Sequence, residues 1–348
     1  MRLGLNMGYW GAGNDASKLE LAIEAERLGF AVVWAAEAYG SDVPTVLSWV
    51  AAQTSTIDVG SAVMQIPART PAMTAMTAAT LDTLSGGRFR LGLGVSGPQV
   101  SEGWHGVRFG KPLGRTREYV EVVRQALSGE RVRHTGEHYP LPLPDGPGKA
   151  LQLTVHGARK DLPIYLASVG PRNLELTGEI ANGWLGIFCS PKHLGTHLSH
   201  IAAGRAKAGL SDLSGFDVAP SVPLVPGEDW TRCADATRPY TALYVGGMGS
   251  RDKNFYNALA SSMGYADAAK QVQDAYLDRR YEEAMAALPL ELLDEIALLG
   301  PVDRIAERMT ALAEAGVTTL NIAPPPGADG VLALRTAAEA LELAGVGA

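Results

Sequence analysis

Residues 57–95 have the sequence IDVGSAVMQIPARTPAMTAMTAATLDTLSGGRFRLGLGV, and this stretch carries the pattern that decides the fold. The apolar run Ile57–Met64 predicts a buried strand, Pro71–Leu84 a helix and Phe89–Val95 a second strand. Strands of continuous apolar character on both sides of a helix are typical of a parallel β-α-β unit that is covered on both faces.

The same alternation of strand and helix continues on both sides of this unit. The further predicted strands are Arg2–Met7, Ala31–Ala36, Pro163–Ala167, Gly183–Phe188, Val218–Leu224 and Val317–Ile322. The further predicted helices are the segment ending at Gly29, then Pro44–Gln53, Pro171–Ala181, Lys192–Ala208, Val302–Ala315 and Gly330–Leu343. Eight successive β/α units predict an α/β fold of the (β/α)8 TIM-barrel type.

The length of the chain fits one barrel with two insertions. It has 348 residues, whereas such barrels typically need about 250. The surplus falls near residues 98–160, which include a polar Pro-rich segment, and near residues 225–299, which have mostly helical patterns. We therefore expect a single domain over residues 1–348. A two-domain doubly wound fold is the alternative, but no linker-like segment marks a boundary.

The composition excludes several classes of protein. The chain is 46% hydrophobic and 19% charged, which argues against disorder, and no run approaches the roughly 20 apolar residues of a membrane helix. A formal net charge of -7 argues against general nucleic-acid binding. Cys189 and Cys233 have no metal-ligand or disulfide spacing, so we expect no metal site, and without a signal pattern we expect a cytoplasmic protein.

The motifs of common enzyme classes are also missing. The sequence contains no Gly-x-Ser-x-Gly, no P-loop and no His-Glu-x-x-His, which removes the main signatures of hydrolases, kinases and zinc proteases. Gly92 and Gly94 form a Gly-x-Gly that does not complete a dinucleotide fingerprint.

Active sites of barrels of this kind lie at the carboxyl ends of the strands. One such end is followed by a small-residue turn, Ser168-Val169-Gly170, which opens a predicted helix. Free backbone N–H groups and the helix dipole at such a position suit a phosphate. The alternative is an ordinary tight βα loop.

A basic segment lies between Glu102 and Glu118. It is either a solvated surface loop or a landing site for an anionic cofactor tail. Its members are His105, Arg108, Lys111, Arg115 and Arg117.

Taken in order, these segments resemble the luciferase-like superfamily, in particular the actinobacterial oxidoreductases that use the 5-deazaflavin coenzyme F420. The resemblance runs nearly from end to end. It is carried by residues 60–98, which overlap the stretch above and extend it by Ser96-Gly97-Pro98, and by RTREYVE at 115–121, ASVGPRNLELTGEIANGW at 167–184, YVGGMGSRDKNFYNALASSMGY at 244–265 and LLGPVDRIAERMTALAEAGVTTL at 298–320.

This resemblance implies a bacterial luciferase-like barrel that binds coenzyme F420 at its carboxyl face. Hydride would pass between the deazaflavin and a small organic substrate, such as a carbonyl, enone, imine or alcohol, and few catalytic side chains are then needed. Family members have a non-prolyl cis peptide after the third strand, which aligns with Ala62–Val63. The implied cofactor-binding residues are Ala62, Val63, Met64, Gln65, Gly94, Val95, Ser96, Ala167, Ser168, Val169, Gly170 and Pro171.

Glu37, immediately after the second strand, is the candidate catalytic residue, as a proton donor or an orienting acid. The alternative for Glu37 is an ion pair with an arginine. In the sugar-phosphate dehydrogenase branch a histidine follows this acid and a glutamate follows the fourth strand, but Ala38 and Gly97 align there, so that mechanism is not carried over. The candidate substrate-pocket residues are Trp10, Tyr39, Trp104 and Phe255.

Two other functions remain open at this stage. The first is an FMN-dependent monooxygenase of the same superfamily, whose phosphate site would have the same sequence pattern. The second is a non-catalytic protein that binds a deazaflavin or flavin. We also expect a homodimer, because the family commonly dimerises.

Overall fold

The computed structural model describes residues 1–10 and 15–348 of the chain. Its strands are β1 (Arg2–Tyr9), β2 (Val32–Ala36), β3 (Asp58–Ser61), β4 (Met64–Gln65), β5 (Phe89–Gly94), β6 (Ile164–Ala167), β7 (Gly183–Leu185), β8 (Asp217–Val218), β9 (Ser221–Pro226), β10 (Leu298–Gly300) and β11 (Thr319–Ala323).

The helices cover most of the chain between the strands. They are α1 (Asp15–Arg27), α2 (Val43–Gln53), α3 (Pro71–Leu84), α4 (Pro98–Gly103), α5 (Pro112–Leu127), α6 (Pro171–Ile180), α7 (Pro191–Lys207), α8 (Trp230–Asp235), α9 (Arg238–Ala242), α10 (Phe255–Ala260), α11 (Ala266–Leu277), α12 (Tyr281–Ala286), α13 (Leu290–Ile296), α14 (Val302–Glu314) and α15 (Gly330–Ala344). Ile66–Ala68 is a 3-10 turn, and Leu243–Gly247 and Ser261–Tyr265 are π-helical.

The strands form a parallel barrel. Strands β1, β2, β3, β5, β6 and β7 pair in that order, and β11 pairs with the other edge of β1. Residues 217–226 close the ring, because β8 pairs with β7 and β9 pairs with β11, with a further bridge between Ile187 and Ser221. The predicted TIM barrel is therefore confirmed in the part of the chain that the structure describes.

Small residues allow large side chains to fill the inside of this barrel. A Cβ added to Gly60 would lie 2.3 Å from the ring of Trp34 on the neighbouring strand. Trp34 is fully buried, and its Nε1 donates to Asn321 Oδ1 at 2.8 Å. Because interiors are close-packed, the glycine on β3 is what lets the indole lie across the barrel.

Two predicted strands are interrupted. The strand predicted over Ile57–Met64 is divided into β3 and β4, with Ala62 and Val63 between them. The strand predicted over Val218–Leu224 is divided around Pro220, which has no N–H to donate to a neighbouring strand. By contrast, the predicted and observed bounds of α3 are the same.

The surplus chain lies mainly in two places. Within the predicted insertion 98–160, α5 packs on α3 and α6 as an ordinary barrel helix, so the additional material is α4, its following loop and residues 128–163. The second insertion contains α8 to α13 between β9 and β10, and it has an apolar core of its own. Among the described residues, no helix is long and apolar enough to cross a membrane.

Candidate active and cofactor site

The end of the third barrel strand has the geometry that the resemblance implied. The peptide bond between Ala62 and Val63 is cis. Val63 packs with the side chains inside the barrel, and a Cβ added to Gly94 would lie 2.5 Å from Val63 Cγ2. Gly94 therefore leaves the space that Val63 occupies. The Met64 side chain is only 1% exposed and packs in the main core, so its backbone is the part that could border a cofactor; this contact stays a prediction.

Glu37 forms the ion pair that was the alternative to a proton-donor role. Its carboxylate accepts two hydrogen bonds from the Arg69 guanidinium, both at 2.7 Å. The same carboxylate accepts from the backbone N–H of Gln65 at 3.1 Å and from that of Val43 at 3.4 Å. Both oxygens of Glu37 thus point at Arg69 and at the backbone of β4 and α2. The Glu37 side chain is only 7% exposed.

Gln65 connects two loops at the same end of the barrel. Its Nε2 donates to Ser96 Oγ at 2.8 Å, and its Oε1 lies 2.9 Å from His105 Nε2. Ser96 has a φ of 57°, in the left-handed region that L-residues rarely adopt. The hydrogen bond from Gln65 holds Ser96 in this conformation, so the loop after β5 has a defined position beside Val63 and Gly94.

The loop after β6 presents an open helix N-terminus. Gly170 is the N-cap of α6, and no side chain caps it. A Cβ added to Gly170 would meet no atom within 4 Å. Across residues 1–10 and 15–348, the N–H groups of Val169 and Gly170 have no hydrogen-bond acceptor. Orphan N–H groups beside open space are what a phosphate requires.

Sequence reasoning missed a group of four tyrosines above the barrel, here called the tyrosine cluster: Tyr9, Tyr240, Tyr244 and Tyr256. Tyr9 ends β1, and the others belong to the second insertion. The Tyr240 and Tyr244 rings are 4.5 Å apart, the Tyr244 and Tyr256 rings 4.8 Å apart, and Phe188 packs against all three. The spacing of Tyr240 and Tyr244, four residues apart in a helical segment, was the available signal.

The phenols of this cluster are strongly desolvated. Burial raises the pKa of Tyr9, Tyr240 and Tyr244 above the ordinary tyrosine value and raises that of Tyr256 to about 12. At neutral pH the cluster therefore offers neutral O–H donors.

The four predicted pocket residues differ in exposure. Tyr39, Trp104 and Phe255 are 64%, 67% and 45% exposed, so they lie at the surface, and their role in a substrate pocket stays a prediction. Trp10 is half-buried and packs against the main core. The aromatic side chains that the structure brings together are instead Phe188 and the tyrosine cluster.

Most of the basic segment is paired with acids. Lys111 lies 2.5 Å from Glu137, and Arg117 forms two hydrogen bonds with Glu179 at 2.8 and 2.5 Å. Arg115 differs, because its buried Nε has no partner among the residues that the structure describes. Lys111 and Arg117 therefore act as surface ion pairs, the simpler of the two predicted roles.

Comparison with known proteins identifies the family. The model of the luciferase-like monooxygenase family matches residues 11–319. This chain belongs to the luciferase-like family. A Mycobacterium tuberculosis protein that is assigned as a coenzyme F420-dependent oxidoreductase is 42% identical to it. This alignment covers 92% of the luciferase-like chain and 94% of the relative.

Solved structures agree with this family. The coenzyme F420-dependent tetrahydromethanopterin reductase of Methanopyrus kandleri superposes with a TM-score of 0.83 at 25% identity, covering 97% of this luciferase-like chain and 98% of the reductase. An F420-dependent secondary alcohol dehydrogenase, solved with an F420-acetone adduct, superposes with a TM-score of 0.79 over 99% of both chains. Its identity is 17%, so that comparison supports the fold alone.

Proposed function

We propose that this luciferase-like chain is a coenzyme F420-dependent oxidoreductase that transfers a hydride between the deazaflavin and a carbonyl, enone, imine or alcohol. The observation that carries the proposal is the 42% identity, over 92% of the chain, to a relative assigned to that cofactor. The fold similarity to the Methanopyrus kandleri reductase supports the same cofactor.

The residues at the carboxyl end of the barrel fit this group. The unpaired N–H groups of Val169 and Gly170 would hold its phosphate, since no side chain occupies the space beside Gly170. Val63, together with the loop that Gln65 orders at Ser96, would support the ring. When bound, the deazaflavin supplies hydride transfer as a two-electron carrier.

Glu37 acts as a positioning residue in this proposal. Its carboxylate joins Arg69 to the β4 backbone at Gln65. Because Gln65 in turn orders Ser96, loss of the carboxylate disturbs two of the loops that would contact the ring. Of the two roles predicted for Glu37, we therefore assign it that of the orienting acid.

The tyrosine cluster supplies the substrate side of the site. Its phenols keep their protons far above neutral pH, because burial disfavours the phenolate. A neutral O–H donor suits a substrate oxygen or nitrogen that gains negative charge as hydride is added. Tyr9 and Tyr244 are the candidates for this proton, and reduction of a carbonyl, enone or imine is the direction that their protonation favours.

The function is tested by an anaerobic assay with the chemically reduced deazaflavin. We expect at least one member of a panel of carbonyls, enones and imines to reoxidise the deazaflavin at a rate that is proportional to the enzyme concentration. Tyr244→Phe should slow this turnover without weakening cofactor binding. A protein that reduces none of the panel, and instead consumes oxygen when supplied with reduced FMN, would overturn the proposal.

The two other candidate functions each have one observation in their favour. The matching family model is that of luciferase-like monooxygenases, which favours FMN and oxygen as the alternative. Ala38 and Gly97 lack the acid and base groups of the sugar-phosphate dehydrogenase branch, which favours a non-catalytic binding protein. Tight binding of F420 without turnover on any substrate class would support that second candidate.

We also propose that the chain forms a homodimer through the outer faces of α2 and α3. Trp49, Met73 and Met76 on these helices are about half exposed, at 54%, 49% and 50%. Asp82, the only charged residue in either helix, is fully buried. A broad surface without charge is typical of a buried interface, and two copies of the same uncharged surface can pack together.

A further inference from the structure

A buried tryptophan lies directly beneath the loop proposed to bind phosphate. The Trp184 Nε1 donates a hydrogen bond to the carbonyl oxygen of Ser168 at 2.9 Å. Both residues are nearly inaccessible, with exposures of 1% and 4%. Trp184 is the last residue of the motif ASVGPRNLELTGEIANGW, in which Ser168 is the second.

This hydrogen bond orients the next peptide group. The bond between Ser168 and Val169 is trans, and in a planar trans peptide the C=O and the following N–H point in opposite directions. Because the Ser168 carbonyl points at Trp184, the Val169 N–H must point away from it. That N–H is one of the two left without an acceptor among the described residues, so the indole sets the direction of a proposed phosphate ligand.

A second contact fixes the same residue through its side chain. Ser168 Oγ lies 2.8 Å from Thr177 Oγ1, and Thr177 Oγ1 donates its single proton to the Asn173 carbonyl at 2.8 Å. The Ser168 hydroxyl must therefore donate to Thr177. Ser168 has no hydroxyl proton left for a phosphate, so it acts through the position of its backbone.

The indole itself has little freedom to move. A Cβ added to Gly186 would lie 2.8 Å from Trp184 Cη2, so the ring fills the space beside that glycine. The His197 ring packs against the indole with 5.5 Å between centroids. Burial lowers the pKa of His197, which keeps the imidazole neutral near neutral pH. The support beneath the loop is thus rigid and uncharged.

We infer that Trp184, together with Thr177, is a positioning residue for the cofactor phosphate. Trp184 orients the Ser168–Val169 peptide so that its N–H faces the phosphate, and Thr177 holds Ser168 in register with the start of α6. This inference rests on the proposed function, since it needs a cofactor whose phosphate binds at this loop.

The test compares two deazaflavins on the wild type and on Trp184→Phe, which keeps an aromatic ring and removes the N–H donor. One ligand is coenzyme F420, and the other is its riboside form, which lacks the phosphate. Because one orienting hydrogen bond is lost, we expect F420 to bind roughly fivefold to tenfold more weakly. Binding of the riboside should be unchanged, and KM for F420 should rise with kcat retained.

A second pair of variants keeps the test valid if Trp184→Phe folds poorly. Thr177→Val should weaken F420 binding in the same selective way, and Thr177→Ser should restore it. Thr310→Val is the matched control, because the Thr310 hydroxyl also donates to a helix carbonyl, at 3.1 Å in α14. It should leave both affinities unchanged.

The outcomes separate the inference from the proposed function. If the wild type does not bind F420, both are overturned. Two results would show that the positioning role is wrong while the proposed function stands. In the first, Trp184→Phe and Thr177→Val bind F420 as tightly as the wild type does. In the second, these variants bind F420 and the riboside more weakly by the same factor.

Discussion

Gly170 is the position at which the proposed phosphate site can be changed with least effect on the fold. It is the N-cap of α6, with a φ of -78° and a ψ of 153°, which any residue can adopt. A Cβ there meets no atom within 4 Å. Replacement by Asp or Asn is therefore sterically free in the protein without ligand, and either side chain can cap the helix.

The two replacements differ only in charge. Neither should lower the stability of the protein, but the charge of Asp should weaken phosphate binding. Asp and Asn are both better N-caps than Gly by a few tenths of a kcal/mol, roughly, so neither variant should lose stability. An Asp carboxylate about 5–6 Å from a bound phosphate charge would repel it by about 3 kcal/mol at an effective dielectric constant of about 20. Solvent and salt reduce this to about 1.5–3 kcal/mol, or roughly tenfold to a hundredfold weaker binding.

Calorimetric titration with F420 at low salt measures this effect, alongside thermal unfolding of the same samples. We expect Gly170→Asp to melt no lower than the wild type and to bind F420 at least tenfold more weakly than Gly170→Asn. The difference should shrink as salt is added. If Gly170→Asp and Gly170→Asn bind F420 with equal affinity, the phosphate does not bind at this loop.

Three further predictions concern other parts of the molecule. Glu37→Gln leaves the buried Arg69 guanidinium with the half-exposed Asp42 as its remaining carboxylate partner and should reduce the free energy of unfolding in urea by up to about 3 kcal/mol; an unchanged value would remove the positioning role. Met76→Glu should give a monomer in light scattering, whereas Leu343→Glu on α15, at a similarly exposed leucine in a different helix, should not. Burial raises the pKa of Tyr256 to about 12, so the stability that its neutral phenol contributes should be complete below pH 10 and lost as the pH rises towards 12. Over that range the free energy of unfolding of Tyr256→Phe should fall less with pH than that of the wild type.

The barrel was predictable because its signal is local. Each β/α unit repeats the same order of an apolar run and an amphipathic helix, and in Pro71–Leu84 the helix start at Pro71 and the stop at Ser85 are both encoded by neighbouring residues. The open loop at Gly170 was predictable for the same reason, since a small-residue turn before a helix-starting proline is visible in the sequence.

The interruption between β3 and β4 could not be obtained from periodicity. Its apolar residues fit a continuous strand, and the division depends on Val63 entering the space that Gly94, on a different strand, leaves free. Its position was expected only through the family resemblance.

The tyrosine cluster needed the tertiary structure. Tyr9 and Tyr244 are more than two hundred residues apart, and only the return of the second insertion over the barrel brings them together. The candidate pocket residues Tyr39 and Trp104 were chosen for being aromatic and near strand ends, and that criterion says nothing about the direction of a ring. The sequence suggested an arginine as partner for Glu37, but Arg69 became evident only from the fold.

Whether this luciferase-like chain uses a deazaflavin is decided by equilibrium titration of the wild-type protein with F420 and, under the same conditions, with FMN. We expect F420 to bind with saturation at one site per chain and FMN at the same concentrations not to compete with it. Saturable binding of FMN, with no binding of F420, would show that the chain is not a deazaflavin enzyme.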